Sequence, residues 1–230
     1  MTSRIVLVLA VAFGAACGGA ATTSAPTATE TASATPTTVP ATTVAASTAA
    51  SAWTVTSASA ATVKVREQLV GVSLPSDAVL TVKGASGSFA LNADGTFTSD
   101  SKITCNVSTI ASDQRDRDNF IKQDTLAVGQ FPTATLVPTK ATGLTLPLPA
   151  SGTFTFTLAG KLTLHGVTKD VTFDVTAKRD GATLTATATA NPTWKFADFG
   201  MRAPSVPFRV VSIVDEIKLT VDIVATGPAA

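Results

Sequence analysis

The chain has one histidine, His165, and two cysteines, Cys17 and Cys105. Nucleophilic, general-base or metal chemistry would have to be assembled around these side chains. A general base needs a nucleophile and an orienting carboxylate within reach, and a zinc-type centre needs three or four ligands. His165 stands in the stretch Leu164-His165-Gly166-Val167, between two alternating runs, and reads as a turn residue. Cys105 lies between Ile103 and Val107 in an extended stretch and reads as a buried, reduced thiol. With no cluster of acid, base and nucleophile, we expect no catalytic residues, no metal ligands and no required cofactor, so the chain is read as a non-enzyme. The densest charge is Asp113, Arg115, Asp116, Arg117 and Asp118. Such a run could bind a polar head group, but it more commonly forms a solvated helix face with one internal ion pair, the reading preferred here.

The elements that would position these residues are mostly strands. From Gly152 to Arg179, Phe154, Phe156, Leu158, Leu162 and Leu164 alternate with threonines, and after Gly166 Val171, Phe173 and Val175 alternate with Thr172, Asp174 and Thr176. This period of two predicts a hairpin with one apolar and one hydroxyl-rich face. Its first arm, about 40 Å long at 3.3 Å per residue, suits a tall barrel. Further strands are predicted at Thr62–Val70, Ala78–Leu91 (interrupted at Gly84 and Gly87), Thr96–Thr109, Ala134–Ala141, Thr183–Ala190 and Ile217–Ala225. A single helix is expected from Asp113 to Leu126, capped by Ser112 and ended at Gly129. About eight antiparallel strands can close around side chains or around one small ligand.

Composition narrows the function classes. A net charge of +1 and 14% charged residues provide no basic stripe for nucleic acid, while 45% hydrophobic residues suffice for a core. Residues 1–16, with Arg4 before the apolar run Ile5–Phe13, read as an export signal too short to span a bilayer. Small residues directly before Cys17 resemble the lipobox of bacterial lipoproteins, in which that cysteine is acylated. Gly14 departs from the leucine common there, and plain cleavage after Ala16 is the alternative. Residues 17–52, almost wholly Ala, Thr, Ser, Gly and Pro, read as a disordered tether. The 35 residues from Gly18 to Ala52 would reach roughly 30–35 Å as a coil. The expected setting is a bacterial cell envelope, with the protein exported and held at a membrane through its N-terminal lipid. In a bacterium the acceptor pattern Asn106-Val107-Ser108 would usually go unglycosylated.

The stretch Gly160–Phe173 (GKLTLHGVTKDVTF), preceded by SDQRDRDNFIKQDTL and FPTAT and followed by FADFGMRAP and VDEIKLTVDI, resembles the YceI-like lipid-binding family. The match runs from Trp53 to about Thr226, within a folded domain expected over 53–227. Arg117-Asp118 matches the family's Arg-Asp motif, and Phe131-Pro132 its aromatic-Pro pair. Leu162–Lys169 matches its hairpin turn, Asp198-Phe199-Gly200 its Asp-Phe-Gly stretch, and Val214-Asp215 with Ile217 the start of its final strand. Leu136 and Lys195 depart from the pattern. The resemblance implies an extended, lipocalin-like antiparallel barrel that holds an isoprenoid or similar long apolar chain, and it brings Phe199 among the ligand-facing candidates.

Physical chemistry sets how long such a cargo must be. Burying a CH₂ contributes roughly 0.8 kcal/mol, association costs at least about 4 kcal/mol, and micromolar binding needs about −8 kcal/mol. On the order of fifteen buried carbons are then required. Candidate wall residues on the hairpin are Phe154, Phe156, Leu158, Leu162, Phe173 and Val175, although the same side chains could equally interlock as a filled core. Ala186 and Ala188 would leave room for a chain if they point inward. A packed barrel that binds protein or glycan on its outer face is the competing reading.

Overall fold

In the computed structural model the described residues are 51–205 and 210–228. The expected export signal, Cys17 and nearly all of the tether lie outside them. Ten strand segments follow in order: β1 (Ser51–Val55), β2 (Ala60–Leu69), β3 (Ser76–Lys83), β4 (Ala85–Leu91), β5 (Lys102–Asn106), β6 (Thr133–Thr142), β7 (Ser151–Leu164), β8 (Val167–Asp180), β9 (Thr183–Ala190) and β10 (Val210–Thr226). The short helix α1 (Arg115–Phe120) lies between β5 and β6.

Ten segments reduce to eight staves, because two pairs are single chains bent at one level. β1 pairs with the end of β10 (Thr54 opposite Thr226, Val55 opposite Ala225), and β2 takes up the same edge three residues further on (Ala60 opposite Asp222). β3 runs along β2 and β4 along β1, with Gly84 alone between them. Ser59 holds both bends together. Its carbonyl accepts from the amides of Gly84 and Ala85, while its hydroxyl accepts from Val224 N at 2.9 Å. β1 bonds to both β4 and β10, so the sheet closes on itself as an antiparallel meander. Closure removes the exposed edges that an open sheet would offer for aggregation.

Local sequence explains most of these elements. β7 and β8 pair along their full 14 residues, from Ser151 opposite Asp180 to Leu164 opposite Val167. They are joined by His165 (φ 51°) and Gly166 (φ 74°), a two-residue loop with both φ angles positive, as the right-handed strand twist favours. In β4, Gly87 has φ +129°, and a Cβ there would lie 2.0 Å from Lys102 O, so only glycine lets β4 approach β5 this closely.

Alternation also settles which face is interior. Val171, Phe173, Val175, Ala177 and Arg179 are buried along β8, and most residues between them are exposed. The interior parity of β7 carries Phe154, Phe156, Leu158 and Leu162.

Three expectations need correction. The helix begins at Arg115 rather than Asp113, and Ser112 does not cap it. Ser112 N and Oγ instead donate to Asp118 Oδ1 at 2.8 and 2.7 Å, which holds the segment before the helix back against its first turn. The helix continues as a wider turn over Ile121–Thr125, and the chain leaves it through Ala127 at φ 45°, before Gly129. The strand expected at Thr96–Thr109 shrinks to β5, because Thr96 and Phe97 make only isolated bridges. The last strand starts at Val210 rather than Ile217, since a register shift between Ile213 and Ile217 hides the alternation of its first turns.

Candidate binding cavity

The side chains of the interior parity fail to fill the barrel. A cavity of about 930 Å³ runs through one half of it, lined mainly by aliphatic residues from every part of the wall. These include Val63 and Val65 of β2, Leu80 and Val82 of β3, Leu136 of β6 and Leu219 of β10. Small residues make the space: Ala78, Ala85, Ala134 and Ala188 all face it.

Of the residues singled out from sequence, Leu158, Leu162, Phe173 and Ala188 line the cavity, and Phe154, Phe156, Val175, Ala186 and Phe199 do not. The boundary is clear on three adjacent strands. It passes between Leu158 and Phe156 on β7, between Phe173 and Val175 on β8, and between Ala188 and Ala186 on β9. The excluded residues on these strands share the correct face but sit nearer the other end, where the interior is solid. There Trp53, Val55, Ala177, Leu184 and Ala225 are buried, and the guanidinium of Arg179 lies over the Trp53 ring. Phe199 is 1% exposed and packs edge-on against Trp194 at 5.3 Å between ring centroids; Trp194 in turn lines the cavity. Its position is thus behind the wall.

The exposed lining residues show where the hollow opens. Val70, Val72, Ser76 and Asp77 around the β2–β3 loop face Asp113, Gln114 and Asp116 ahead of and within α1. Beside them Leu74 (74% exposed) and Val211 (65%) present bare aliphatic surface. Phe120, Ile121 and Leu126 extend the lining from the helical segment.

One carboxylate enters this apolar lining deeply. Glu67 shares its strand face with Val63 and Val65 and is 7% exposed. Arg117 reaches across from α1, donating from Nη2 to Glu67 Oε1 and from Nη1 to Asp113 Oδ1, both at 2.6 Å. The charge run is thus only partly the solvated face expected of it. Arg115 and Asp116 are exposed, whereas the Arg117 side chain is 18% exposed and is engaged fifty residues away in sequence. The parity of Glu67 within Thr62–Val70 was the sequence signal for an inward charge.

His165 sits in the β7–β8 turn, its Nδ1 3.1 Å from Phe199 O and its ring 4.8 Å from that of Phe131. Among the described residues no group of three or more His, Cys, Asp or Glu side chains is placed to hold a metal ion.

Cys105 faces the cavity from β5. Burial pushes its thiol above the ordinary value, only partly offset by a backbone hydrogen bond with Ala134. Thiolate is the reactive form, so in a Cys17→Ser background Cys105 should react with an apolar maleimide at pH 7.5 more slowly than free cysteine. The rate should climb as pH rises through the alkaline range and fall when the cavity is occupied. Labelling as fast as free cysteine, and unaffected by added lipid, would place the thiol outside the hollow.

A closed antiparallel meander with an apolar hollow open at one end is a lipocalin-like barrel. The chain belongs to the YceI-like domain family, which it matches over residues 53–225. A UPF0312 protein of Pseudomonas putida is 33% identical over 137 residues, covering 52% of this chain and 66% of that protein, just under two thirds of its length. Among solved structures, a polyisoprenoid binding domain from Saccharophagus degradans superposes with a TM-score of 0.56 at 13% identity, covering 76% of this chain and 98% of the other. BcnA from Burkholderia cenocepacia does so with 0.53 at 19% identity, covering 73% and 96%. At these identities the superpositions speak for the fold alone.

Proposed function

We propose that this protein is a binding protein, not an enzyme, which takes a long apolar lipid such as an isoprenoid quinone or a polyprenyl lipid into the barrel and shields it from water. The observation that carries the reading is the aliphatic cavity of about 930 Å³. That volume lies near the upper end of the roughly 300–1,000 Å³ typical of ligand pockets. An apolar cavity of about 150 Å³ accommodates one benzene, so by that scale this one has room for on the order of thirty carbons. Micromolar affinity needs about half as many. The name of the Saccharophagus degradans neighbour points to the same ligand class.

Membrane attachment through an acylated Cys17, in a bacterial cell envelope, belongs to the same proposal. A cargo drawn from a bilayer gains little by transfer, since lipid tails are already an apolar solvent. Exchange then runs near balance, as a carrier requires. Exposed aliphatic residues beside the opening suit loading from an apolar phase. The competing reading, a packed barrel used only on its outside, required an interior without a continuous void, and this cavity counts against it.

Organic-solvent extraction of the purified full-length protein, followed by mass spectrometry, tests the proposal. About one long-chain lipid per barrel is expected. Repeated recovery of none from protein expressed in membrane-containing cells would refute it.

A further inference from the structure

We infer that the cavity selects lipids with a neutral head, such as an alcohol, ketone or amide, and rejects those ending in phosphate or carboxylate. This rests on the lipid-binding reading above and adds the class of head group.

Among the described residues Arg117 is the one cation on the lining, and it is already committed. Nη2 is held by Glu67 and Nη1 by Asp113, with Ser112 Oγ a further 3.5 Å contact of Nη1. One guanidinium with two carboxylates leaves this group at net −1. Asp77, also on the lining, is matched separately by Arg66 at 3.1 Å.

An anionic head at this end therefore meets a cluster of its own sign. At the remaining N–H edges of Arg117 it would lie against the like charges of Glu67 and Asp113, and in the place of Glu67 it would leave that carboxylate, 7% exposed, buried without its counter-charge. A neutral oxygen faces neither obstacle. It can approach the guanidinium N–H edges, or donate a hydroxyl proton to a carboxylate oxygen, with the pair left intact. Buried polar groups discriminate chiefly through what a wrong ligand leaves unpaired.

The test uses the full-length protein, with Trp194 fluorescence reporting binding because its ring lines the cavity. Geranylgeraniol and geranylgeranyl phosphate share one chain and differ only in the head. A phosphate monoester carries about −1.5 to −2 charges at neutral pH. Next to a net −1 cluster it should bind at least about tenfold more weakly than the alcohol at low salt. Asp113→Asn removes an exposed carboxylate (side chain 74% exposed) without disturbing the buried pair, and should shrink that ratio about threefold or more. Glu67→Gln should shrink it further, and because that change touches a buried pair, its thermal unfolding is measured alongside. If the phosphate binds as well as the alcohol or better, or if Asp113→Asn leaves the ratio unchanged, the head-group rule is overturned while the lipid-binding reading stands. If neither ligand binds, both fall.

Discussion

Ala188→Trp is expected to empty the barrel of lipid while leaving it folded. Ala188 lies on β9 opposite Val175 of β8 and Val221 of β10, and its methyl faces the hollow. An indole built there projects into space that holds no protein atoms, so the roughly 1–3 kcal/mol penalty for overpacking a filled core does not apply. The ring instead covers about 150 Å² or more of apolar surface. A chain that loses contact for even three of its carbons forfeits about 2.4 kcal/mol, or some fiftyfold in affinity. Lipid recovered per mole of barrel should fall ten- to a hundredfold, with the unfolding temperature unchanged or raised.

Ala186→Trp, two residues along the same strand, supplies the contrast. Ala186 pairs with Ala177 of the packed half and with Ile223 at the edge of the hollow, and is itself off the cavity lining. There the indole must displace neighbours, so stability should drop by about 1–3 kcal/mol while cargo per folded molecule is retained. Equal losses of cargo in the two variants would mean that the ligand does not occupy this cavity.

That contrast also marks what strand alternation can convey. A period of two assigns each side chain to a face, and the hairpin Gly152–Arg179 showed its apolar face plainly in Phe154, Leu158 and Phe173. Alternation carries no information on how the opposite wall fills the space in front of a residue. Phe156 and Leu158 share one parity, yet only Leu158 looks into a void. What separates them is the bulk supplied by distant strands, with Trp53 and Leu184 near one end against Ala85 and Ala134 near the other. The eight staves were countable because alternation survives in most of them, and it fails where the chain bends, at Ser59 and between Ile213 and Ile217. Glu67 and Arg179 share the parity of the apolar side chains on their strands, a signal that could have marked them as inward charges. Their partners, Arg117 fifty residues away and the carbonyls of Leu148 and Pro228, had no such signal.

Arg179 carries the second large effect, on stability rather than on cargo. It is 5% exposed, at the end of the interior face of β8, where a buried guanidinium must find acceptors for its N–H groups. Nε donates to Gly181 O at 3.0 Å, Nη1 to Leu148 O at 3.1 Å and Pro149 O at 3.3 Å, and Nη2 to Pro228 O at 3.4 Å. Its carbon centre lies 5.1 Å from the Trp53 ring centroid, in cation–π range. Four carbonyls from three separate segments thereby converge on one side chain and tie the β6–β7 connection and the C-terminal residues over the closed end. A methionine in place of this arginine would preserve the apolar stem but leave those carbonyls without a donor. Hydrogen bonds to charged groups contribute about 1.5–3 kcal/mol each and do not add fully. The loss for Arg179→Met should be about 3–4 kcal/mol, lowering the unfolding temperature by roughly 10 °C for a domain of this size. Arg179→Lys should recover only part of it, because an ammonium cannot span the same fork of acceptors. Cargo per folded molecule should be unchanged in both, since Arg179 is off the cavity lining. An unfolding temperature within about 2 °C of the parent for Arg179→Met would show that water replaces these bonds and that the end is open to solvent.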